Sequence, residues 1–127
     1  MIRVLIAEDD SFSSLLLQRV LRTWGFDPVP YAEGKSALKA LLCLDGPPIG
    51  LLDWYLPDIG GLEICETVRQ SDVSGARYLM MVTANTDPNS HKAALGKGAD
   101  AYLLKPVDFG LLLAKLQEAK KQLALDC

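Results

Sequence analysis

Tyr78-Leu79-Met80-Met81-Val82-Thr83 is almost wholly apolar up to its terminal threonine. A half-exposed strand alternates apolar and polar side chains. A run without alternation suits a strand covered on both faces, as in parallel sheets flanked by helices. The neighbouring sequence fits that setting. Downstream, Pro88 to Leu95 reads as a short helix with Gly96 and Gly98 just past its end. Ala101 to Leu104 reads as a strand, and Val107 to about Leu125 as a long last helix whose Leu112, Leu113, Leu116 and Leu123 face the core by amphipathic spacing. Upstream, Ile49 to Asp53 is another apolar strand, and Leu62, Cys65 and Val68 mark one face of the helix after it.

The same alternation extends to the N-terminus. Ile2 to Ala7 reads as the first strand, and Ser11 to Trp24 as a helix carrying Leu15, Leu16, Val20 and Leu21, closed by Gly25. Pro28-Val29-Pro30-Tyr31 is a weaker strand. Its prolines cannot donate ladder hydrogen bonds, so it belongs at a sheet edge. Ser36 to Leu44 is the second helix, ended by the Asp45-Gly46-Pro47-Pro48 turn. Five strands, each followed by a helix, predict an α/β fold with right-handed crossovers. With the proline-bearing strand at an edge, the expected order is 2-1-3-4-5, a flavodoxin-like doubly wound parallel sheet with five helices and its crevice at the carboxyl ends of the strands.

The 127 residues suit one domain, 1–127. Half are hydrophobic and 23% are charged, a globular balance. The net charge of -3 with His91 neutral, and the lack of a Lys/Arg block, argue against direct nucleic-acid binding. No apolar run reaches the roughly 18 residues of a membrane span. Cys43, Cys65 and Cys127 form no CxxC pair or metal-ligand spacing, so reduced thiols and a cytoplasmic location are expected.

Four strands deliver polar residues to one rim. The first runs into Glu8-Asp9-Asp10, the third ends on Asp53, the fourth on Thr83-Ala84, and the fifth runs into Lys105-Pro106. Carboxylates brought together resist joint ionisation, and a divalent cation relieves them. Oxygen donors suit Mg2+, which binds through one or two carboxylates, waters and a phosphate. Lys105 offers a point charge for a phosphoryl oxygen, and Thr83 a hydroxyl. This set points to phosphoryl transfer, with Asp53 on the central strand as nucleophile.

Four motifs, V-L-I-A-E-D-D, L-L-D-W-Y-L-P-D-I-G-G-L-E, M-V-T-A and G-A-D-A-Y-L-L-K-P, occur in this order. With them the chain resembles the receiver domains of two-component response regulators over essentially its whole length. The resemblance implies a phosphorylation-activated signalling switch and not a turnover enzyme. Asp53 would be the phosphoacceptor. Asp9 would bind Mg2+ directly, Glu8 through water, and Tyr55 through its backbone carbonyl. Thr83 would be the switch hydroxyl, Lys105 its partner at the phosphoryl group, Pro106 the proline after a cis peptide, and Tyr102 the aromatic that swings between exposed and buried rotamers. Implied partners are a sensor histidine kinase or histidine phosphotransfer protein, and a downstream protein target or covalently linked output domain. The surface of the fourth helix, fifth strand and last helix would change on activation. The protein would be a monomer or a phosphorylation-dependent dimer. Since the sequence ends at Cys127 soon after the last helix, a stand-alone regulator and a piece of a longer chain both remain open.

Some residues carry two readings. Asp10 suits the acid cluster or a helix cap. The Tyr55 ring either leans over the site mouth and slows hydrolysis or points to solvent. Trp54 is read as packing or rim, His91 as merely exposed, and Lys115, Lys120 and Lys121 as a solvated face. Gly60 stands where the family commonly caps a helix with a polar residue, Gly50 should weaken its strand locally, and Pro48 replaces an acid. Three other functions fit the residues less well. A haloacid-dehalogenase-type hydrolase places a second aspartate two residues after its nucleophile, where this chain has Tyr55. A flavin or nucleotide binder needs a phosphate-cradling loop where Glu8-Asp9-Asp10 would repel the ligand. A receiver-like interaction module that is never phosphorylated would not need the complete set of acids, hydroxyl and lysine.

Overall fold

A computed structural model describes residues 1–125, so expectations for Cys127 lie outside the described residues. The elements are β1 (Arg3–Ala7), α1 (Ser11–Thr23), β2 (Asp27–Tyr31), α2 (Gly34–Leu42), β3 (Ile49–Asp53), α3 (Gly61–Arg69), β4 (Tyr78–Thr83), α4 (Pro88–Gly96), β5 (Ala101–Leu104) and α5 (Phe109–Gln122), with a short 3-10 turn at Ser74–Ala76. The strands form one sheet in the order β2-β1-β3-β4-β5, every pair parallel. The proline-bearing β2 is at the edge, where its missing donors cost the ladder nothing.

Strand periodicity divides the core in two. Val4 and Ile6 of β1, Ile49 and Leu51 of β3, and Tyr78, Met80 and Val82 of β4 face α1 and α5. Leu5, Ala7, Leu52, Leu79 and Met81 face α2, α3 and α4. All residues of β3 and β4 are buried, as their unbroken apolar runs require.

Helix faces and ends differ from the sequence reading in places. On α1 the inward residues are Ser14, Leu17, Gln18 and Leu21, while Leu15 is 60% exposed and Leu16 is exposed beside it. Gln18 Nε2 donates to Ser14 Oγ at 3.1 Å, so these buried polar side chains satisfy each other. On α5, Leu112 and Leu116 are buried, and Leu113 and Leu123 are half-buried. This helix starts at Phe109 because the Asp108 carboxylate accepts the Leu111 N–H at 3.2 Å. It ends at Gln122, short of the expected Leu125. The α2 helix starts two residues before the expected Ser36. Its cap comes from elsewhere: Asp58 accepts the N–H groups of Gly34 (2.7 Å) and Lys35 (2.9 Å). These amides, led by that of Lys35, hold the Asp58 pKa down at about 2.

The pole opposite the crevice is tied together by arginines. Arg69 donates to the carbonyls of Gly98 (2.7 Å), Ser74 (2.6 Å) and Arg77 (3.0 Å), and pairs with Asp100. Asp100 also accepts the Leu79 N–H at 2.8 Å. Arg77 reaches the carbonyls of Leu41 and Cys43 at the end of α2.

Candidate functional site

Strand register builds the site. Ala7 pairs with Leu52 across β1–β3, so one residue further on Glu8 comes level with Asp53. Thr83 pairs with Leu104, and the Lys105 N–H donates to the Thr83 carbonyl at 2.8 Å. Glu8, Asp53, Thr83 and Lys105 therefore share the carboxyl-terminal edge, and Asp9 follows Glu8 onto it.

Glu8 is 5% exposed and Asp53 7%, whereas Asp9 is exposed. One carboxylate oxygen from each of the three lies within 4.8 Å of those of the other two. Lys105 stands between the buried pair, its Nζ 2.8 Å from Glu8 Oε1 and 3.0 Å from Asp53 Oδ2. The second oxygens take backbone donors: Asp10 N–H on Glu8 Oε2 and Tyr55 N–H on Asp53 Oδ1, each at 3.2 Å. Burial works against the charge on Lys105, but its hydrogen bonds to Glu8 and Asp53 outweigh that and raise its pKa above the ordinary value. Three acids against one ammonium leave net negative charge on hard oxygen donors. That donor set fits a small divalent cation such as Mg2+.

Asp10 is a helix cap. Its carboxylate accepts the Ser13 hydroxyl at 2.6 Å and the Ser13 N–H at 3.0 Å, and these bonds lower its pKa. The Tyr55 ring is 63% exposed and tilts against Trp54 with centroids 6.4 Å apart. The Lys105–Pro106 peptide is cis. Gly60 and Gly61 begin α3 beneath the site loop. A Cβ on Gly60 would meet the Trp54 carbonyl at 2.6 Å, and one on Gly61 would meet the Asp53 carbonyl at 2.5 Å. The absence of a polar cap at Gly60 thus has a steric reason: the backbone carrying Asp53 and Trp54 passes too close for a side chain.

Thr83 is fully buried, and its Oγ1 accepts the Asn85 N–H at 3.1 Å. Asn85, two residues after Thr83, connects several parts of the site. Its carbonyl accepts the Tyr102 hydroxyl at 2.9 Å, its Nδ2 donates to Ser90 Oγ on α4 at 2.8 Å, and its Oδ1 accepts the Asp87 N–H at 2.9 Å. His91 needs correcting. It is exposed, but its imidazole stacks on the Tyr102 ring at 4.6 Å between centroids and 11° between planes. Trp54 is half-buried against the α2–α4 side of the core and meets Tyr102 edge-on at 6.4 Å. Local sequence carried no signal for these contacts, because they depend on where the β4–α4 loop and α4 return over β5.

Beside the acids, a groove of about 530 Å³ is lined by Phe12, Leu16, Lys105, Pro106, Val107 and Phe109, with Phe12 75% exposed. Among the described residues, no helix is long and apolar enough to cross a membrane.

Residues 4–117 match the family of the response regulator receiver domain. The DNA-binding response regulator MtrA of Mycobacterium tuberculosis (strain ATCC 25618 / H37Rv) is 36% identical over 115 residues, 91% of this chain and 49% of that protein. The chain spans about half the length of the curated relatives it matches. A putative response regulator from Chloroflexus aurantiacus J-10-fl superposes with a TM-score of 0.84 at 31% identity, covering 96% of this chain and 97% of that one. A CheY-like response regulator receiver domain protein from Methanospirillum hungatei JF-1 gives 0.83 at 28% identity, covering 94% of each.

Proposed function

The chain belongs to the response regulator receiver domain family, and on that premise we propose that it is a switch thrown by phosphorylation of Asp53. The observation that carries this reading is the Lys105 bridge between the buried Glu8 and Asp53 within a triad of converging carboxylates. Asp53 offers a carboxylate oxygen to the phosphorus of a phosphohistidine on a sensor kinase or phosphotransfer protein. The new O–P bond forms as the P–N bond breaks, and the imidazole leaves with the electron pair and takes up a proton. Lys105, already 3.0 Å from Asp53, is placed to hold a phosphoryl oxygen. Mg2+ bound by Asp9, Asp53 and the Tyr55 carbonyl, with Glu8 through water, would neutralise charge on the phosphoryl oxygens.

Thr83 responds by turning its hydroxyl toward the phosphoryl group. That movement favours Tyr102 in its place against the loop, where its hydroxyl donates to the Asn85 carbonyl, and the surface of α4, β5 and α5 changes its preference among partners. Shifting such a switch from 1:99 to 99:1 needs about 5.5 kcal/mol of differential stabilisation. The apolar groove along α1 supports docking of the phosphodonor, because it opens beside Lys105. The output is a separate target or a linked domain that reads the α4–β5–α5 face in the cytoplasm. The domain promotes only its own phosphorylation and dephosphorylation.

Incubation with labelled acetyl phosphate and Mg2+ tests the reading. One label per chain is expected at Asp53, absent in Asp53→Asn and in chelator. No uptake by the wild type, or undiminished uptake by Asp53→Asn, would overturn it in favour of an interaction module that is not phosphorylated.

A further inference from the structure

Three contacts hold the Tyr102 ring. His91 of α4 stacks on it at 4.6 Å, Trp54 meets it edge-on at 6.4 Å, and the Asn85 carbonyl accepts its hydroxyl at 2.9 Å. A tyrosine has two side-chain torsions, so a face contact plus a hydrogen bond at the far end fixes both. Asn85 joins this slot to the site, because its N–H is the donor to Thr83 Oγ1. It joins the slot to α4 through Ser90 as well. Two groups placed to respond to phosphorylation, Thr83 and Tyr102, therefore bond to the backbone of one residue, and the ring that completes the slot comes from a helix with no part in the chemistry.

We propose that His91 is a positioning residue that keeps Tyr102 in its slot against the β4–α4 loop and so lowers the cost of reaching the phosphorylated arrangement. The proposal rests on the switch reading above. It goes further by placing part of the control on an α4 side chain that touches neither metal nor phosphate. Near-parallel aromatic rings attract beyond their buried area, enough to change an equilibrium about three- to tenfold. When the arrangement that accepts the phosphoryl group is only partly populated, apparent affinity falls in proportion to its population. Removing the imidazole empties one wall of the slot and lowers that population.

Titration with beryllofluoride in saturating Mg2+, followed by tryptophan fluorescence in a Trp24→Phe background so that Trp54 alone reports, reads this directly. His91→Ala is expected to need about three- to tenfold more beryllofluoride for half-saturation, with Mg2+ affinity measured alone unchanged. Alanine is a good helix former on this exposed face, so the fold should persist. His91→Phe, which restores a flat ring, is expected to return the midpoint to the wild-type value. In a Tyr102→Ala background, His91→Ala should have no effect, since the ring it supports is gone. A wild type that responds with the same midpoint as His91→Ala would overturn the proposal, as would an undiminished His91 effect without Tyr102. A wild type that never responds to beryllofluoride would instead overturn the switch reading, and this inference with it.

Discussion

At Lys105, one ammonium serves two buried carboxylates, and no other side chain donates to either in the described structure. Breaking a buried pair costs most when one charge is left without its partner. The side chain of Lys105 is 30% exposed, so solvent screens part of that cost. Lys105→Met is expected to lose about 1–3 kcal/mol in urea denaturation with chelator present. Most of the loss should return with millimolar Mg2+, because without the competing ammonium the cation binds the carboxylates more tightly and stabilises the variant more than the wild type. A loss that Mg2+ leaves unchanged would place the lysine's role in packing. His91 shows the opposite situation. It is a lone histidine on a short helix, and sequence gave no reason to assign it a contact because its partner lies on a different element.

Among the elements, α2 and α3 owe their starts to the same loop. Asp58 caps α2 from 24 residues away, and Gly60 starts α3 under the Trp54 carbonyl. This explains which boundaries the sequence disclosed. Strands β1, β3 and β4 were legible because burial on both faces leaves long apolar runs. The start of α2 was not, because its capping group lies outside the local window. The same division holds in the site: the acids, Thr83 and Lys105 sit at strand ends, where a polar residue is conspicuous, while Asn85 meets Thr83 and Tyr102 through its backbone N–H and C=O, which carry no side-chain signature. Two outcomes follow at this scale. Gly60→Ala forces a Cβ to 2.6 Å from the Trp54 carbonyl. It is expected to cost about 1–3 kcal/mol by urea denaturation and to weaken Mg2+ binding as the loop shifts. Asp58 has a folded pKa of about 2, below its ordinary 3.8. Its contribution is therefore complete above about pH 4 and is lost as pH falls toward 2. Asp58→Ala should lower the urea midpoint at pH 6, and the gap from wild type should narrow on acidification. A gap independent of pH would remove the charged cap as its cause.

The whole molecule has two cores separated by one sheet. Leu5 belongs to the α2–α4 side and Leu116 to the α1–α5 side, each fully buried. Truncation of either to alanine is expected to cost about 2–5 kcal/mol. Because the two leucines belong to separate clusters, the double variant should be additive within about 0.5 kcal/mol. A marked departure measured by urea denaturation would mean that the sheet transmits strain between its faces.

The arginine ties also give the molecule a gradient. Arg69 and Arg77 anchor strand beginnings, helix ends and turns at one pole, while the opposite rim ends in the loops that carry Asp9, Tyr55 and Asn85. Amide protons near Leu79 and Gly98 should then exchange with deuterium only through global unfolding, and those near Ala84 and Thr86 through small local openings. A domain fastened in this way can be reset many times at its free end without loosening its foundation, and each cycle starts from the same geometry.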